Sequence, residues 1–123
     1  MPQEKIYENK VKKFLEEQGA WFVKYWGGGQ YTKKGIPDIL VCVNGMFMGV
    51  EVKAPNGKPS PLQIHNLRKI DEAGGFGILL YPKDFDLFKQ LVRAVKEHEV
   101  EVIMHVYDEQ LKRRWCDYGC KSQ

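Results

Sequence analysis

The chain has 123 residues, 43% of them apolar, 12% aromatic and 28% charged, a composition that predicts one globular domain over residues 1–123 and excludes a disordered polymer. Its formal charge of +3 is uneven: residues 1–69 hold 11 Lys/Arg and 6 Asp/Glu, whereas residues 70–123 hold 8 and 10. No apolar run approaches the about 18 residues that cross a bilayer, and the start MPQEKIYENK lacks the apolar stretch of a signal peptide, so a cytoplasmic location with no membrane partner is expected.

Tyr7, Val11, Phe14 and Leu15 share one stripe at helical spacing, which predicts a helix from about Gln3 to Gln18, stopped by Gly19. Glu8 falls at the edge of that stripe, either as a solvated helix carboxylate or as a group aimed along the seam between helix and core. Ala20 to Trp26 is aromatic and β-branched and predicts a strand, followed by a loop over residues 27–35. The triple glycine of that loop is not a phosphate cradle, because no Gly-Lys-Ser/Thr follows and no helix opens after it. Tyr31, Lys33 and Lys34 near its end, and Lys58 further on, suit contact with a charged phosphate backbone, the plainer alternative being a loop that only connects.

Gly35 to Lys53 is the most informative stretch. Two apolar runs, Ile39 to Val43 and Met46 to Val52, flank Asn44-Gly45, the strongest short signal for a two-residue hairpin turn. In that register Val43 faces Met46, Asp38 faces Glu51 and Ile36 faces Lys53. Alternation then puts Ile39, Val41, Val43, Met46, Met48, Val50 and Val52 on the core face, and Asp38, Leu40, Cys42, Phe47, Gly49, Glu51 and Lys53 on the other. A slip of one residue would drive Glu51 and Lys53 into the apolar layer, so the register is strongly specified.

Ser60-Pro61-Leu62-Gln63 opens a helix with a capping serine, a proline at the first helical position and a glutamine three residues after the cap. Ile64, Leu67 and Ile70 form its apolar stripe, and Gly74-Gly75 closes it. Phe76 to Tyr81 reads as a short strand. Asp84 or a neighbour caps a helix to about Lys96, with Phe85, Phe88, Leu91, Val92 and Val95 inward, and the alternation from Glu101 to Tyr107 predicts a last strand. The expected fold class is therefore α/β, a mixed sheet flanked by helices. The odd set Cys42, Cys116 and Cys120 argues against a secreted disulfide framework, and the Cys116/Cys120 spacing does not match a structural zinc knuckle.

Facing carboxylates on adjacent strands lie about 5 Å apart and, at an effective dielectric of about 20, repel by about 3 kcal/mol. A cation, a shared proton or a lysine must offset this. Lys53, on the same face as Glu51, supplies part of the offset, and a divalent ion would supply more; oxygen-only ligands suit Mg²⁺ or Mn²⁺. Asp38, Glu51 and the backbone carbonyl of Val52 are the candidate ligands, with Glu8 able to support the same centre. Such a metal would lower the pKa of a water and stabilise charge on a phosphodiester oxygen, and Lys53 would orient the nucleophile or stabilise the transition state. Gln63 would position a water or phosphate without adding charge. The plainer alternatives are an interstrand ion cluster of Asp38, Glu51 and Lys53, and a Gln63 that only completes a capping box.

Gly35-Ile36-Pro37-Asp38, Glu51-Val52-Lys53 and Gln63, in that order, resemble the motifs of the PD-(D/E)xK nuclease superfamily. Glu8 ahead of them, and Lys53-Ala54-Pro55 with Gly57-Lys58 and Ser60 before the glutamine, make the chain similar to its virus-type replication-repair nuclease (VRR-NUC) domains over about Glu8 to Tyr81. The resemblance implies a restriction-endonuclease-like fold and Mg²⁺- or Mn²⁺-dependent cleavage of DNA. By it Asp38 and Glu51 are metal ligands, Lys53 is the catalytic lysine, and Gln63 and Glu8 are accessory. It further implies a phage or bacterial protein of DNA repair that acts on branched DNA such as Holliday junctions, as a homodimer. The competing expectations are a DNA-binding accessory module without cleavage and a restriction-type nuclease of linear duplex.

Overall fold

The computed structural model describes residues 3–26 and 33–118. Asn44 and Gly45 adopt positive φ, 51° and 79°, the left-handed pair that a two-residue turn between twisted strands requires. They join β2 (Ile39–Val43) to β3 (Met46–Val52) in the predicted register, with Ile39 opposite Val50 and Val43 opposite Met46. The strand β1 (Trp21–Lys24) pairs antiparallel with β2, and β4 (Phe76–Leu80) pairs parallel with β3, giving a four-stranded mixed sheet in the order β1-β2-β3-β4.

One face of the sheet carries the main core. Ile39, Val41, Met48, Val50, Val52, Ile78 and Leu80 are buried there against Tyr7, Val11, Phe14 and Leu15 of α1 (Gln3–Glu17) and Phe88, Leu91, Val92 and Val95 of α3 (Phe85–Lys96). Met46, expected on the core, sits beside the turn and is exposed. On the other face α2 (Pro61–Glu72) packs Ile64 and Leu67 on Leu79. Gly77 and Gly49 let α2 approach this closely: a β-carbon at Gly77 would collide with the Leu67 backbone carbonyl, and one at Gly49 would come within 2.5 Å of Ile70. The helix N-terminus is thereby brought over the far end of β3.

The predicted strand from Glu101 to Tyr107 is helical instead. α4 (Val100–Ile103) runs into a π-helix (Met104–Leu111) and then α5 (Arg113–Cys116). Of the alternating apolar residues, Val102 and Met104 are exposed, as is Val100 before them, while Val106 is buried with Tyr107, Leu111 and Trp115. Tyr107, Leu111 and Trp115 recur every fourth residue, and the wider π winding, with the Lys112 N–H donating to the Tyr107 carbonyl at 2.8 Å, keeps them on one side. Burial at the sheet edge decides the outcome over local alternation. Tyr107 Oη accepts from the Gly77 N–H at 3.0 Å and Trp115 Nε1 donates to the Gly77 carbonyl at 2.6 Å, so two side chains satisfy both backbone groups of Gly77 in edge strand β4.

Asp84 occupies the N-cap position of α3, as expected from the sequence, but its side chain makes no capping bond. It lies in a 3₁₀ turn (Pro82–Asp84), is buried, and accepts two 2.9 Å bonds from Arg114, which outweigh a single capping bond. Phe85 is half-buried and packs inward as expected, edge-on to Tyr7 and Phe14. Arg114 and Trp115, together with Lys112, which pairs with Asp71 at 2.9 Å, give the C-terminal helices a structural role. Cys42 is an exposed free thiol and Cys116 is half-buried; Cys120 lies outside the described residues. No helix among the described residues is long and apolar enough to cross a membrane.

Candidate active site

Asp38 precedes β2 and Glu51 lies near the end of β3, at positions that continue the hairpin ladder. Asp38 Oδ2 accepts from the Val52 N–H at 2.9 Å, which fixes that carboxylate against the neighbouring strand. Glu51 is 3% exposed. Its Oε2 accepts from Gln63 Nε2 at 2.9 Å and lies 3.6 Å from Lys53 Nζ, while its Oε1 is buried with no hydrogen-bond partner among the described residues. Lys53 follows β3 directly, held by its N–H donating to the Leu80 carbonyl at 3.0 Å.

Gln63 serves both roles read from the sequence. Its Oε1 accepts from the Ser60 N–H at 2.9 Å and its own N–H donates to Ser60 Oγ at 3.1 Å, completing the capping box, while its Nε2 reaches Glu51. The cap thus fixes the rotamer that presents a neutral donor to the buried carboxylate.

Glu8 is also buried, and it meets the site through a lysine. Lys24 Nζ donates to Glu8 Oε1 at 2.8 Å and stands 3.6 Å from Asp38 Oδ1, so one ammonium bridges the two carboxylates. Lys12 and Lys5 flank Glu8 Oε2 at 3.4 and 3.6 Å. Burial opposes ionisation of Glu8, but Lys24 and Lys12 outweigh it and hold the carboxyl below its ordinary value. The sequence offers Lys24 only as one of several candidates for a phosphate-facing surface, not as part of the carboxylate centre. Its signal is positional: it pairs with Ile39, next to Asp38, and that register is visible only once β1 is aligned with β2.

Glu51 has the opposite electrostatics. Burial, reinforced by Asp38 and only partly relieved by Lys53, pushes its carboxyl up to about 8. An orphaned buried carboxylate oxygen, a second carboxylate facing it and a donor set free of thiol and imidazole fit a hard divalent cation. No group of three or more His, Cys, Asp or Glu side chains suited to a metal exists among the described residues, so an ion here would keep several waters, as Mg²⁺ does.

The structure brings Asp38, Glu51, Lys53 and Gln63 together and joins Glu8 to them through Lys24. Lys33 and Lys34 are exposed at the start of the segment that leads to Asp38, and Lys58 is exposed in the loop after Lys53. Tyr31 lies outside the described residues. A buried glutamate, a facing aspartate and a lysine two residues past the glutamate stand together at the end of a mixed sheet, in the order and spacing of the PD-(D/E)xK motif. The profile of the archaeal Holliday junction resolvase (Hjc) family matches residues 3–77, which include all five of these side chains, and the chain belongs to that family. It is also similar to "Putative nuclease p44" of Acyrthosiphon pisum secondary endosymbiont phage 1, with 33% identity over 85 residues, 64% of this chain and 87% of the phage protein. No solved structure matches the chain significantly.

Proposed function

We propose that the protein is a Mg²⁺- or Mn²⁺-dependent, structure-selective endonuclease that hydrolyses phosphodiester bonds of branched DNA, Holliday junctions among them. The observation that carries this is the unpartnered Glu51 oxygen beside Asp38, with the Lys53 ammonium 3.6 Å from the same carboxylate. The motif spacing from Lys53 to Gln63 supports placement close to the VRR-NUC domains within the superfamily. Asp38 and Glu51, with the Val52 carbonyl and with Glu8 nearby, would hold the ion, which supplies Lewis acidity and neutralises charge on the phosphate.

The side chains do the rest. Lys53 orients the attacking water or stabilises the charge that grows on the non-bridging oxygens. Gln63 holds Glu51 Oε2 without adding charge, and the Val52 N–H holds Asp38 Oδ2 so that its other oxygen faces Lys24. Lys33, Lys34, Tyr31 and Lys58 contact flanking phosphates. Hydrolysis leaves 5′-phosphate and 3′-hydroxyl ends.

A homodimer in the cytoplasm of a bacterial or phage-infected cell completes the reading. Trp21, Cys42 and Phe47 lie opposite one another on β1, β2 and β3, all exposed, with Val23 and Leu40 in the next row. Such an apolar patch on the open sheet face supports pairing with a second copy, which would present two centres to two strands. Sedimentation should show a dimer that Trp21→Glu dissociates; monomers alone at working concentration would remove the dimer. Incubation with Mg²⁺ and labelled duplex, flap, splayed-arm and four-way-junction DNA tests the activity. Preferential cutting of branched DNA is expected, and equal cutting of plain duplex would overturn structure selectivity.

A further inference from the structure

Gly57, Lys58, Tyr81, Lys83, Arg114 and Tyr118 line a cavity of about 690 Å³ next to the active site. The two share a wall. A β-carbon at Gly57 would stand 3.3 Å from Lys53 Cδ, and the Gly57 carbonyl accepts from the Tyr81 hydroxyl at 2.9 Å, which pins this loop to the end of β4. Arg114 is committed to the buried Asp84, so it gives the cavity structure rather than free charge.

Two other cations remain uncompensated. Lys58 and Lys83 are exposed and pair with no carboxylate among the described residues, and Lys83 Nζ stands 5.9 Å from the centroid of the Tyr81 ring. Tyr118 is 43% exposed and adjoins Tyr81; burial and this neighbour hold the Tyr81 phenol above its ordinary value, so it stays neutral. Aromatic faces interleaved with unpaired lysines are what single strands of nucleic acid find in their binding grooves. A base inside a duplex cannot present its face and its phosphate to one cavity together, whereas a nucleotide that has left the stack can.

We propose that this cavity is a nucleotide subsite: it takes one unpaired nucleotide of the DNA strand adjoining the scissile phosphate, its base against Tyr81 and Tyr118 and its phosphate on Lys58 and Lys83. The proposal rests on the nuclease reading and narrows it. The favoured substrate is a branch with an unpaired nucleotide beside the cut, not a fully paired junction.

Fluorescence anisotropy in EDTA tests binding without cleavage. The probes are a fully paired four-way junction, the same junction with one unpaired thymidine at the branch, and that junction with the thymidine replaced by an abasic residue. The wild-type protein should bind the unpaired-thymidine junction about tenfold more tightly than the other two. Tyr118→Ala should erase that preference and leave the fully paired junction within about twofold, since its side chain is exposed and its loss spares the fold. The double variant Lys58→Ala/Lys83→Ala should weaken the unpaired-thymidine junction most. Equal binding of all three junctions by the wild type, or a preference that survives in both variants, would overturn the subsite; so would an abasic junction bound as tightly as the thymidine one, which would assign the cavity to phosphate alone. Failure of the wild type to cut any of the junctions with Mg²⁺, with the binding preference intact, would overturn the nuclease reading while supporting the subsite.

Discussion

Burial of Glu51 beside Asp38 keeps its carboxyl protonated up to about pH 8 in the metal-free protein. Because the folded value lies above the ordinary 4.5, the stability that Glu51 contributes is full below pH 4.5 and is lost as pH rises through about 8. Glu51→Gln keeps the shape and removes the titration. Thermal melts in EDTA should show the wild type losing stability between pH 5 and 8 and Glu51→Gln staying level, ahead at pH 8 by about 1–2 kcal/mol or roughly 4–8 °C. Parallel melting profiles would show that the carboxyl does not titrate there. The proximity of Asp38, Glu51, Lys53 and Gln63 is legible in the sequence, because a two-residue turn fixes the register and a capping box fixes the glutamine. The bridge through Lys24 is not, since it depends on how β1 aligns with β2 across a long loop.

Each element that positions these side chains relies on a close approach. α2 can lay Gln63 over Glu51 because Gly77 leaves room for its backbone and Gly49 for its Ile70 side chain. Gly77→Ala must push the Leu67 turn outward and is expected to destabilise the fold by about 1–3 kcal/mol and to slow cleavage, as urea denaturation and initial rates would show. Unchanged stability would mean that the helix yields without strain. Spacing and turn residues predict α1, the hairpin, α2, β4 and α3 correctly. The C-terminal helices escape prediction because Val100, Val102 and Met104 alternate on an exposed turn, while Tyr107 and Trp115, which cover the Gly77 edge, act through polar atoms that hydropathy does not read.

Over the whole molecule, the basic half of the chain carries the centre and the acidic half wraps the sheet edge. A net charge of +3 is small because residues 70–123, with 10 Asp/Glu against 8 Lys/Arg, offset part of the basic excess of residues 1–69. Lys33→Ala/Lys34→Ala should weaken DNA binding and reduce the slope of log affinity against log salt by about 2 if both touch phosphate; an unchanged slope would remove this segment from the interface. The most direct measurement is single-turnover cleavage of an end-labelled four-way junction with Mg²⁺, wild type against Lys53→Ala, with junction affinity measured in parallel. Cleavage by the wild type, a rate lower by about 100-fold or more in Lys53→Ala and affinity within about twofold are predicted. Equal rates, or no cleavage by a wild type that binds the junction, would contradict a nuclease built on Asp38, Glu51 and Lys53.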